Sequence, residues 1–113
     1  MTNVTPAPDA KDVADNKVFA ILAYFGILFL VPLLAAKESP FARFHANQGL
    51  ILFIAEIALW IVSIILLFVP YIGGIITLLL YLGIAVLAIV GIINAAKGEM
   101  KQLPLIGTIQ LIK

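Results

Sequence analysis

Cysteine is missing from this chain of 113 residues, and histidine occurs once. The first absence excludes disulfides, thiolate metal sites and cysteine nucleophiles. Charge is scarce as well. Asp, Glu, Lys and Arg make up 12% of the residues, about half the share of an ordinary soluble domain. A formal net charge of +1 gives no reason to expect nucleic acid as a partner. The aspartates stand only in the N-terminal tail, and the two serines, Ser39 and Ser63, have no base at useful spacing. There is no phosphate-cradling glycine loop and no zinc-protease pattern. These gaps argue against an enzyme and against a cofactor.

Apolar side chains fill the space, at 64% of the sequence. A soluble fold of this size could not cover so much apolar surface, so lipid must be its solvent. Residues 1–17 form a polar tail with two prolines and no apolar periodicity, expected to be disordered. Residues 18–113 read as one membrane domain holding three apolar segments, Val18–Ala36, Gly49–Val69 and Ile75–Ala96. Each has about 20 residues, the length a helix needs to cross roughly 30 Å of hydrocarbon. The first run exceeds the apolar core of a secretory signal and is kept as a helix. The fold class expected is an all-α integral membrane protein with three transmembrane helices.

The connections carry further detail. Pro70 ends the second segment, and Gly73 and Gly74 suit a tight reversal, so the second and third helices should form an antiparallel hairpin. Ser39 followed by Pro40 is a helix start, a capping hydroxyl before proline at the first helical position. The residues after it should make an interfacial amphipathic segment, with Phe41 and Phe44 toward lipid, Arg43 and Asn47 toward water, and a bend at Gly49. Leu103–Ile112 is too short to span and should lie on the membrane surface or pack on the middle connection. With three spans, Lys37, Arg43, Lys97, Lys101 and Lys113 share one side and Lys11 and Lys17 the other. The larger cationic group marks the cytoplasmic side, which puts the N-terminus outside a plasma membrane.

Polar groups within the apolar runs are candidates for function or for packing. Glu56 falls about 10 Å into the second span, where an ionised carboxylate costs several kcal/mol. Pro32 frees the carbonyl of Leu28, a candidate acceptor for Glu56. Gln48, Leu52, Glu56, Trp60 and Ser63 share a helical stripe, which makes Trp60 a helix-contacting residue. Ser63, Tyr24 and Tyr81 have similar estimated depths and could form a polar layer. Gly91 and Ala95 form a small-residue packing stripe, with Asn94 beside it able to hydrogen-bond across helices. His45 is more simply an interfacial side chain held by its neighbours than a metal ligand or pH sensor. It stands about 16 Å from Glu56 along the helix, too far for the two to share an ion.

Three stretches, LAYFGILFLVPLL, PFARFHANQGLILFI and GIINAAKGEMKQLPLIG, resemble the bacterial relatives of the twenty-kilodalton chloroplast inner-envelope import component. That resemblance covers roughly residues 20–107 and implies a helical membrane protein linked to protein translocation. It also offers Arg43, His45, Asn47 and Gln48 as a functional surface. Two functions follow from the sequence. One is a non-enzymatic component or scaffold of a membrane assembly, related to import, with the lipid bilayer and protein partners or further copies as its contacts. The other is an oligomeric proton or cation channel or carrier using Glu56.

Overall fold

The Ser39 hydroxyl accepts the Ala42 N–H at 3.0 Å and so caps the longest helix, which starts with Pro40 at its first position. The computed structural model describes residues 9–109 and 111. Its elements are α1 (Ala10–Leu22), a 3₁₀ turn (Gly26–Phe29), α2 (Leu30–Ala35), α3 (Pro40–Leu66) and α4 (Ile72–Ala96). Among the described residues there is no strand. Two helices, α3 and α4, are long and apolar enough to cross a membrane.

The expected hairpin of the second and third segments is formed by α3 and α4, but its turn is built differently. Tyr71, not a glycine, takes the positive φ of 64°. Gly73 serves close approach instead: a Cβ there would lie 2.0 Å from the Leu66 carbonyl oxygen. Around this turn Leu67, Phe68 and Tyr71 are almost fully exposed.

The first expected span is not one helix. The α1 helix ends at Leu22, and Gly26 with φ +60° reverses the chain into the 3₁₀ turn. Pro32 then falls at the third position of α2 and is fully buried. The 3₁₀ turn runs straight into α2, so Pro32 sits inside a helical stretch of residues 26–35 and takes one N–H out of its hydrogen-bond ladder. The segment goes in and comes back. Near the start of α1 the Asp12 carboxylate accepts the Ser39 hydroxyl and, at 3.0 Å, the Phe41 N–H. At its apex the Ala23 carbonyl oxygen sits 1.9 Å from where a Gly49 Cβ would be, and Phe29 packs on Phe53. The α1 helix also takes in residues that the sequence assigns to the polar tail, while residues 1–8 lie outside the described residues.

This packing corrects the reading of the start of α3. Phe41 is fully buried and Asn47 nearly so, so residues 40–49 are the covered base of the bundle and not an amphipathic surface segment. The α3 helix runs through Gly49 without a break. Its second half and most of α4 remain exposed, with Trp60 at 61% and Leu78 at 60%. Trp60 is therefore not a helix-contacting residue.

Candidate functional site

One turn near the start of α3 carries His45, Asn47 and Gln48, all three bonded to the chain from Glu99 onward. All three are buried. His45 Nε2 lies 2.8 Å from the Glu99 carbonyl oxygen, and Nδ1 lies 2.5 Å from the Tyr24 hydroxyl. A carbonyl only accepts, so Nε2 carries the proton and Nδ1 accepts from Tyr24. The neutral imidazole thus has both nitrogens occupied, with no lone pair left to direct at an ion. Tyr24, Phe41 and Phe44 meet the ring edge-on, at centroid distances of 5.5, 4.9 and 5.2 Å.

The two neighbouring amides work as a pair. Gln48 Oε1 accepts the Leu103 N–H at 2.8 Å while its Nε2 donates to the Gly107 carbonyl at 2.9 Å. Asn47 Nδ2 donates to the Ile109 carbonyl at 2.9 Å, and its Oδ1 accepts the Leu111 N–H at 2.6 Å. Each amide presents donor and acceptor as a peptide would: Asn47 pairs with residues 109 and 111 as a neighbouring strand does, and Gln48 holds both ends of the turn closed by the Gly107 N–H on the Leu103 carbonyl. Leu103 is buried in the core cluster, and Gly107 leaves no room for a Cβ, which would stand 2.3 Å from the Leu103 nitrogen. Arg43 lies half-buried on the same stretch.

Asn94 at the end of α4 adds a longer contact, Nδ2 to the Lys101 carbonyl at 3.5 Å, and its own carbonyl accepts the Glu99 N–H at 2.9 Å. Gly91 and Ala95 are buried, and a Cβ on Gly91 would lie 2.2 Å from the Tyr24 ring. The small-residue stripe is thus the seat of Tyr24. The polar layer of Tyr24, Ser63 and Tyr81 does not form. Tyr24 belongs to the base, Ser63 donates to the Trp60 carbonyl in its own helix, and Tyr81 is exposed. Glu56 is half-buried on the α3–α4 flank, and among the described residues it makes no hydrogen bond, to Leu28 or otherwise.

Asp12 is the residue that sequence reasoning misses; Tyr24 enters it with the wrong partners, and the stretch from Leu103 packs on the middle connection, one of its two expected places. The signal for Tyr24 was its distance of two residues from Gly26, the point of reversal. Replacing Tyr24 by Phe keeps the ring on Gly91 but leaves His45 Nδ1 buried without a donor. The expected loss of stability is about 1–3 kcal/mol, the cost of an unsatisfied buried polar group. Detergent-phase thermal unfolding of the full chain checks it.

Comparison with known proteins corrects the resemblance drawn from the sequence. The pattern that defines the magnetosome magnetite crystal formation protein family, MamF/MmsF, matches residues 15–112. A UPF0132 membrane protein of Methanocaldococcus jannaschii is 46% identical over 100 residues, covering 84% of each chain. The magnetosome protein MamF of Paramagnetospirillum magneticum is 34% identical over 93 residues, covering 80% of this chain and 78% of its own. A UPF0132 membrane protein of Archaeoglobus fulgidus is 39% identical over 99 residues, covering 88% of this chain and 90% of its own. No solved structure matches. The expected kinship with the plastid import component is overturned, since the stretches quoted for it lie inside the matched residues. In the fold, two of those stretches, around His45 and around Leu103, are the two halves of an internal clasp. The chain belongs to the magnetosome magnetite crystal formation protein family, MamF/MmsF.

Proposed function

We propose that this chain is a non-enzymatic structural component of a membrane assembly, anchored by two crossing helices and a re-entrant N-terminal arm. The observation that carries this reading is where the polar side chains go. His45, Asn47 and Gln48 are spent on the chain's own backbone, while the long apolar flanks of α3 and α4 stay uncovered. Such a molecule binds lipid outside and holds itself rigid inside. The relatives named as membrane or magnetosome proteins support the class.

Orientation follows from the same base. Asp12 bonded to Ser39, and Glu99 bonded to His45, put α1, the α2–α3 connection and the end of α4 at one end of the bundle. Lys11, Lys17, Lys37, Arg43, Lys97 and Lys101 all belong to that end, and the residues of the far turn, 67–71, carry no charge. By the excess of Lys and Arg, the base faces the cytoplasm, with the start of α1 and the segment after α4 there. This reading differs from the expected three spans with an outer N-terminus.

An ion path through Glu56 has less support. Glu56 is the one charged residue of the apolar stretches 49–69 and 75–96, so no second charged group of those stretches continues a path from it.

Because the chain has no cysteine, single-cysteine variants report sidedness directly. Lys11→Cys and Lys37→Cys should react with a membrane-impermeant maleimide from the cytoplasmic side, and Tyr71→Cys from the opposite side. Reaction of positions 11 and 37 from opposite sides would return the first segment to a full crossing.

A further inference from the structure

We infer that the molecule is a wedge, and that it concentrates in membrane whose cytoplasm-facing leaflet is convex. The inference rests on the two-crossing reading above, and its argument is one of cross-section against depth. Setting Tyr71 at the far interface, about 30 Å of hydrocarbon reaches back about 20 residues along α3, to the neighbourhood of Asn47. The apex of the N-terminal arm is level with Gly49 and Phe53, where Ala23 and Phe29 make contact. By the helical rise, Phe53 lies about 9 Å inside that boundary, within the first leaflet.

The arm faces lipid where it enters. Phe25 is 50% exposed, Ile27 57% and Leu34 64%, and all three lie on the 3₁₀ turn, on α2 or beside them. The cytoplasmic leaflet therefore accommodates α3, α4 and both limbs of the arm, with the C-terminal segment clasped beneath. The other leaflet accommodates α3 and α4 alone. With each helix about 10 Å across, the protein's footprint roughly doubles from one leaflet to the other. Among the described residues nothing in the far half compensates, since the far ends of α3 and α4 carry no packed third element. The long dimension, 52 Å, exceeds the roughly 40–45 Å of a bilayer with its headgroups. Shallow apolar insertion into one leaflet is sensitive to curvature, because a convex leaflet offers the spare area that the insert needs.

The test uses the full chain, labelled on a cysteine at position 71, in giant vesicles from which a thin lipid tube is pulled. The ratio of protein density on the tube to that on the vesicle is read separately for the two orientations. With the cationic base outward on the tube, the ratio should rise well above one and grow as the tube narrows. With the base inward it should fall below one. The variant Phe25→Ser with Ile27→Ser changes two exposed side chains, spares the clasp, and should bring both ratios toward one. Ratios of one for both orientations at every tube radius overturn the wedge, and so does sorting that the double variant leaves unchanged. Impermeant labelling at positions 11 and 37 in the same vesicles separates the two readings. Labels on opposite sides mean that the two-crossing reading has failed. Labels on one side with flat ratios mean that the wedge alone has failed.

Discussion

Gly49→Ala is expected to undock the N-terminal arm. Away from any contact, alanine in a helix is favoured over glycine by about 1 kcal/mol. At position 49 the new Cβ would stand 1.9 Å from the Ala23 carbonyl oxygen and 2.7 Å from its carbon. These are backbone atoms at a chain reversal, so no rotamer change relieves the clash. Overpacking of a core usually costs about 1–3 kcal/mol, and a clash with backbone falls at or above the top of that range. The clash therefore outweighs the helical gain. Lost docking would pull Ala20, Ala23 and Tyr24 from the core and remove the donor to His45. The expected outcome is a fall in unfolding free energy of about 3 kcal/mol or more. Gly83→Ala is the control. That glycine is exposed on α4 with nothing within 4 Å of a Cβ, so its replacement should be neutral or slightly stabilising. Equal stability of the two variants in a denaturant titration in detergent micelles would contradict the assigned contact.

Sequence reasoning reached those features that local chemistry decides. Ser39 and Pro40 specify a helix start through groups at most three residues apart, and the start is where they place it. Pro70 and a short uncharged link specify a reversal, although the positive φ went to Tyr71 because Gly73 was needed against Leu66. The first segment departs from the single helix expected of it because hydropathy reports solvent and is silent on continuity. Val18–Ala36 is apolar enough to cross, yet Gly26 reverses it and Asp12 ties its start back to Ser39. Arg43–Gln48 stands out in the sequence as a polar cluster before an apolar run, and the stretch from Leu103 as a piece that packs on it or lies on the membrane surface. Which backbone groups the cluster meets is not legible, because they lie far along the chain. Gln48 reaches Leu103 and Gly107 across 55 and 59 residues, and Asn47 reaches Ile109 across 62. Backbone N–H and C=O groups are the same at every residue, so no motif advertises which of them a buried amide will meet.

Gln48→Leu tests that inward direction with the second large effect. Leucine has similar bulk and keeps the helix, so what changes is hydrogen bonding alone. The Leu103 N–H loses its acceptor and the Gly107 carbonyl its donor, and the glutamine between them is almost completely buried. An unsatisfied buried polar group costs about 1–3 kcal/mol, so the two together cost about 2–6 kcal/mol if water does not enter. Releasing the segment lets water satisfy both groups, at the expense of withdrawing Leu103 from the core. A fully buried leucine side chain contributes about 1.5–3 kcal/mol, so release is comparable in cost to staying. The C-terminal segment should therefore detach in a substantial fraction of molecules while α3 and α4 keep their hairpin. Amide hydrogen exchange would register this as loss of protection at Leu103 and Gly107 with α4 protection retained. Gln48→Glu distinguishes the two bonds. A carboxylate still accepts from Leu103 but, when ionised, has no hydrogen for Gly107. Protection should then return in part at Leu103 and stay low around Gly107. Unchanged exchange in both variants would mean that Gln48 does not hold the segment, and the cluster at the start of α3 would have to be directed at something outside the chain.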